Sequence, residues 1–201
     1  MTTELAIANV IILIFSVIAH EVSHGYMALS QGDPTAKMAG RLTLNPIKHL
    51  DPIGSFVVPL FTYFLGGPMF GWAKPVPYNP YNLRNQRWGD ALVAIAGPLT
   101  NLMIAIIFGF IIRFGGVAIG GSGVEIMTYI VDINIVLAVF NMCPIPPLDG
   151  YKVFKSILAE NRNSRITHFI EKNSLVVLLI FVFFLWQFFS PLVGLIHNII
   201  L

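Results

Sequence analysis

The sequence predicts an all-α polytopic membrane protein with four transmembrane helices plus a re-entrant or β-like loop segment around residues 35–75. Of its 201 residues, 56% are hydrophobic and only 11% charged. The mean hydropathy of +0.76 is higher than a water-facing surface of this size tolerates. Stretches 5–29, 91–112, 126–148 and 174–201 are apolar enough, and long enough at about 1.5 Å per residue, to cross a hydrocarbon layer. A further apolar stretch, 53–72, carries Pro59, Gly66, Gly67, Pro68 and Gly71, which suits a broken, re-entrant segment better than a regular helix.

In chain order, Gly32, Asp33 and Pro34 stop the first helix, and residues 30–50 form a polar connection. Residues 73–90 are polar and rich in Pro and Asn. The span that follows contains Gly97-Pro98 and is closed by a Gly-rich turn at 115–123. The next runs into Asn141-Met142-Cys143-Pro144-Ile145-Pro146-Pro147-Leu148-Asp149-Gly150, where the prolines must unravel the helix and leave backbone groups unpaired. Residues 151–173 are basic, and the last apolar segment has Pro191 and Gly194 near its end. The opening stretch lacks the basic flank of a signal peptide and reads as mature sequence. With no repeat, low-complexity segment or polar linker, residues 1–201 are expected to form a single domain.

Charge sets the expected orientation. If residues 53–72 re-enter, eleven of the 12 Lys and Arg residues collect on one side, leaving Arg113 opposite. The same arrangement brings the ends of the first and third spans that carry His24 and Asp149 to one face. The expectation is a multi-pass protein of the cell membrane, N-terminus outside, with the polar site toward the cytoplasmic face. No polybasic block exists, so nucleic acid is not an expected partner. A single cysteine, Cys143, excludes an intrachain disulfide and a multi-cysteine metal cluster.

His20-Glu21-Val22-Ser23-His24 is an H-E-x-x-H pattern on a helix. Its i, i+4 spacing puts both imidazoles on one face, where they can hold a single zinc ion. Glu21 is offset by about 100°, beside the metal, where it can take a proton from a water that the ion acidifies. Ionisable groups in an apolar helix are costly and by default mark a metal, proton or substrate site.

A catalytic zinc needs a third protein ligand and an open position. Asp149 is the best candidate, at a proline-broken helix end on the correct face; the alternative is an Asp that caps the helix starting near Gly150. His168 lies in a basic, solvated stretch, and Glu125 on the opposite face. His49 is either a surface-loop residue or a fourth ligand or gate. Cys143 suits apolar packing better than ligation, and Phe183, Phe184 and Trp186 suit a lipid-facing or interfacial position.

These residues resemble the site-2 protease family of intramembrane metalloproteases. The resemblance rests on H-E-x-x-H in an apolar helix, Gly97-Pro98-x-x-Asn101 on a middle span, and Asn141-x-x-Pro144-x-Pro146-Pro147-Leu148-Asp149-Gly150 near the end of a later one. Asn45-Pro46 to Ser55 and Gly71-Trp72-Ala73-Lys74-Pro75-Val76-Pro77 are similar to a compact bacterial branch without PDZ or CBS domains. The resemblance implies one Zn²⁺ on His20, His24 and Asp149, Glu21 as catalytic base, and Asn141 as a polar group beside the scissile peptide. Asn141 is equally suited to satisfying backbone freed by the prolines. Asn101 is expected to support close helix packing. The implied partners are a transmembrane protein or peptide substrate and the lipid bilayer, with a homo-oligomer left open. Such a substrate would pair as an extended strand with the segment from about 35 to 75. The alternative is an intramembrane metal or proton transporter using the same His and Asp residues, for which inverted repeats are expected and not visible.

Overall fold

The computed structural model describes residues 3–57, 73–158 and 165–201. Among these, α1 (Thr3–Ser30) is followed by one turn of helix, α2 (Thr35–Met38), and after irregular chain by α3 (Gly89–Ile119), α4 (Gly121–Asn141), α5 (Asp149–Leu158), α6 (Arg165–Lys172) and α7 (Ser174–Ile200). Four stretches, Ile7–Ser30, Gly89–Gly116, Gly121–Asn141 and Ser174–Ile200, are long and apolar enough to span a bilayer. This is the all-α, four-span architecture that the sequence predicts. Ile7, Val10, Ile11 and Phe15 on α1 are exposed, as suits a lipid-facing stripe.

Two boundaries differ from expectation. Helix α3 continues through Gly115 and Gly116, and only Gly120, with φ 81°, separates it from α4. Where no water competes for backbone groups, glycine stays helical more readily than its propensity in water suggests. At the other end α4 stops at Asn141, because Pro144 has no N–H to continue the ladder. The basic stretch after Asp149 also folds in part, as the short helices α5 and α6.

Helices α3 and α4 pack antiparallel along their length, with α1 against both and α7 against α4. Ala105, Val131, Ile135 and Val139 form the buried centre of one layer, covered by Trp186 and Phe189 of α7. A second cluster, Cys143, Leu148, Leu178 and Phe181, anchors the proline-rich connection to α7. Phe183 and Phe184 are exposed as expected, but Trp186 packs on Phe140 and Phe181, with ring centroids 5.4 and 6.2 Å apart. A π turn over Phe181–Leu185 explains the difference, since its wider turn puts residues 181 and 186 on one face. Further along α7, the Ser190 hydroxyl donates to the Gln187 carbonyl at 2.9 Å. That carbonyl would otherwise lack the N–H missing from Pro191.

The chain returns to the end of α1 before α3 begins: Arg84 N–H donates to the Gln31 carbonyl at 2.8 Å, and the Gln31 side-chain amide to the Gly89 carbonyl at 3.3 Å. Within this connection Lys74 N–H donates to the His49 carbonyl at 2.9 Å. Most of the segment expected to re-enter, residues 58–72, lies outside the described residues. The described part of 35–57 forms α2, a 3-10 turn at Pro46–His49 and a π turn at Ile53–Val57, with no strand.

Asp33 ties this connection together. Its fully buried carboxylate accepts from Thr35 N–H (3.2 Å), Thr35 hydroxyl (2.5 Å), Asn82 amide (2.9 Å) and Asn79 N–H (2.7 Å). Burial alone would raise the Asp33 pKa, but these donors, led by the Thr35 hydroxyl and the Asn82 amide, outweigh it and hold it below the usual carboxylate range. Asp33→Asn sets a donor against Asn79 N–H and is expected to cost about 1–3 kcal/mol at neutral pH. Because the folded-state pKa is depressed, the natural chain's advantage is complete above about pH 4, the unfolded value, and is lost as pH falls through the folded value. Melting temperatures of the two proteins in detergent should therefore differ at neutral pH and converge in acid.

Candidate metal centre

One turn of α1 places His20 and His24 side by side, 5% and 7% exposed, with ring centroids 4.7 Å apart and planes at 87°. Asp149, the first residue of α5, is also buried. Its Oδ2 lies 3.0 Å from His20 Nε2 and 3.1 Å from His24 Nε2. The opposite oxygen, Oδ1, faces Lys152 Nζ at 3.5 Å, and Lys152 in turn lies over the Tyr78 ring at 5.3 Å. Donor atoms of His20, Glu21 and His24 also lie within 4.8 Å of one another.

The outward ring nitrogens are both committed. His24 Nδ1 lies 2.7 Å from the Val93 carbonyl, an acceptor only, so it must donate. His20 Nδ1 lies 2.6 Å from Asn101 Oδ1 and donates in the same way. Each neutral ring then turns an Nε2 lone pair toward the other and toward Asp149. Three electron-pair donors in so small a buried space repel one another, and a metal cation among them turns that repulsion into attraction. Tetrahedral zinc with bonds of about 2.0–2.1 Å separates its ligand atoms by about 3.3 Å, close to the spacing here, so the residues present fit the ion.

The surrounding backbone leaves room for such an ion. A Cβ added to Gly97 would lie 2.5 Å from both His20 Nε2 and His24 Nε2. Glycine is the residue that lets α3 press its backbone against the imidazoles. Pro98 in the next position has no N–H to give to the Ala94 carbonyl, one residue on from the Val93 carbonyl that serves His24. At the other end a Cβ on Gly150 would collide with the Met142 carbonyl, so glycine there allows the proline-rich loop to fold over the start of α5 and aim Asp149 inward.

The remaining candidates are placed as follows. Glu21, partly buried, accepts at Oε2 from Val76 N–H at 2.8 Å. Asn141 donates its amide to the Leu137 carbonyl at 2.9 Å, within its own helix. His49 is not a surface residue but 2% exposed; its Nε2 donates to the Thr43 carbonyl at 2.8 Å, and Nδ1 has no partner among the described residues. Cys143 is buried, and burial pushes its thiol up to about 11, which keeps it protonated and a poor ligand. Sequence reasoning missed Lys152, although its place one turn after Asp149 was a readable signal.

The chain is 38% identical over 184 residues to YwhC of Bacillus subtilis, covering 86% of this chain and 79% of that protein. The chain belongs to peptidase family M50. The model of that family matches residues 116–185, which include Asp149. Rip2 of Mycolicibacterium smegmatis is 30% identical over 141 residues, 69% of this chain and 52% of that protein. MJ0392 of Methanocaldococcus jannaschii is 24% identical over 175 residues, 85% of this chain and 41% of that protein. All three carry names of zinc metalloproteases, and no solved structure matches the chain. As a member of M50, the site-2 protease family, this protein is a zinc metallopeptidase and zinc is its metal. Replacing Gly97 with Ala should lower zinc affinity about tenfold or more while leaving the helical circular dichroism of the metal-free protein unchanged, as read by chelator competition.

Proposed function

We propose that this metallopeptidase hydrolyses peptide bonds in or near transmembrane segments of membrane proteins, with His20, His24 and Asp149 as zinc ligands and Glu21 as general base. The observation that carries the proposal is a carboxylate oxygen 3.0 and 3.1 Å from two imidazole Nε2 atoms, contributed by a helix apolar enough to span a bilayer and by the loop after another. Residues 1–201 act as one domain. If residues 53–72 re-enter, eleven of the 12 basic residues fall on one side, which supports an N-terminus outside and an active site toward the cytoplasmic face.

Zinc, when bound, supplies a Lewis acid that polarises the scissile carbonyl and acidifies a water. Glu21 takes the proton of that water and delivers it to the departing amine. The hydrogen bond from Val76 N–H fixes the direction of the Glu21 carboxylate. Val76 sits between Pro75 and Pro77, which have no N–H of their own. Asn141 donates to the developing oxyanion, exchanging its bond to Leu137 for one to substrate. A transmembrane substrate must unwind before its backbone is accessible, and an extended segment laid along the connection between α1 and α3 meets this need.

Glu21→Gln separates hydrolysis from transport. In proteoliposomes containing a fluorogenic single-span peptide, Glu21→Gln is expected to keep one zinc per chain and lose about 10²–10⁴-fold in cleavage rate. Unchanged cleavage with zinc retained would remove Glu21 from the mechanism. Metal flux that survives the substitution, without cleavage by either protein, would favour a transporter.

A further inference from the structure

Ser16, Asn101 and Asn134 come from α1, α3 and α4 and are all buried, the two asparagines completely. In the middle of three apolar helices such groups are expensive, and their geometry is over-determined. The Asn134 amide donates to the Ile130 carbonyl at 2.8 Å and to Ser16 Oγ at 2.9 Å. A carbonyl cannot donate, so the Asn134 NH₂ must lie on that side and its Oδ1 must face Asn101. Asn101 therefore turns its own NH₂ toward Asn134 Oδ1 at 2.7 Å, with a longer bond to the Ser16 carbonyl at 3.3 Å. Its Oδ1 is left to face His20 Nδ1 at 2.6 Å.

We propose that Asn134, acting through Asn101, is a positioning residue for the metal: it fixes the amide of Asn101 so that His20 keeps its proton on Nδ1 and presents Nε2 to zinc. The inference rests on the proposed ligand role of His20. It extends the support of the site to a side chain on α4 whose hydrogen bonds go to Asn101, Ser16 and Ile130. If the Asn101 amide turned over, its NH₂ would confront the Nδ1 proton of His20, and ligation through Nε2 would be opposed by two donors face to face. Direct hydrogen-bond partners of ligating histidines are worth about 10–100-fold in metal affinity, and the effect of Asn134 should fall in that range. Ser16 completes the arrangement from α1 itself, one turn before His20, so the network also registers three helices about the metal.

The test is zinc affinity of the full chain in detergent, by competition with a chelator, for the natural sequence, His20→Ala, Asn134→Leu, Asn134→Asp, and Asn134→Leu combined with Asn101→Asp. Asn134→Leu is expected to weaken binding about 10–100-fold. A carboxylate at 101 accepts from His20 whichever way it turns, so Asn101→Asp is expected to restore most of the loss. A role confined to packing would not be rescued at a different residue. Asn134→Asp keeps the acceptor facing Asn101 and is expected to stay within about threefold of the natural chain; it decides the matter if Asn134→Leu does not fold. Unchanged affinity in Asn134→Leu, absence of rescue, or a full-sized loss in Asn134→Asp would overturn the inference. Unchanged zinc binding in His20→Ala would overturn the ligand assignment itself.

Discussion

Two imidazole nitrogens and a carboxylate oxygen meet at 3.0–3.1 Å in a buried space, and both imidazoles are turned there by hydrogen bonds on their far sides. Without a cation this is an arrangement of mutually repelling lone pairs; with one it is a ligand set. Much of the local sequence serves that meeting point. Gly97 lets the α3 backbone reach it, and Gly150 lets the proline-rich loop close over α5 so that Asp149 points inward. Neither of these residues touches chemistry directly.

The same constraint explains why polar groups inside the spans are paired so fully. A bilayer offers no water to a freed carbonyl or amide. Ser190 covers the carbonyl that Pro191 leaves, and the NH₂ groups of Asn101 and Asn134 each have two acceptors. At the end of α1 the Asp33 carboxylate gathers donors from both sides of the connection, holding that end against the chain that carries Val76 to Glu21. These polar groups of the spans and of the connection are thus satisfied within the protein.

Much of this was legible in the sequence, because the signals were local. Hydropathy marked the four spans, the i, i+4 spacing paired His20 with His24, and the proline run explained why Asp149 lies at a helix end. What could not be read depended on contacts between distant segments. The burial of His49 follows from the folding of 43–49 back on Thr43 and from its pairing with Lys74. Asn134 sits in an apolar helix with no pattern to mark it, and its meaning emerges only opposite Asn101 and Ser16. Trp186 was misplaced because a π turn shifts the helical register, and helical periodicity assumes a constant one.

The central claim is the identity of the donor set, and X-ray absorption at the zinc edge of the loaded protein addresses it most directly. The account predicts a first shell of nitrogen and oxygen at about 2.0–2.1 Å, with the outer-shell scattering of two imidazoles and no sulfur. A sulfur contribution at about 2.3 Å, which only Cys143 or a methionine could supply, would contradict it. So would a third imidazole in place of the carboxylate oxygen.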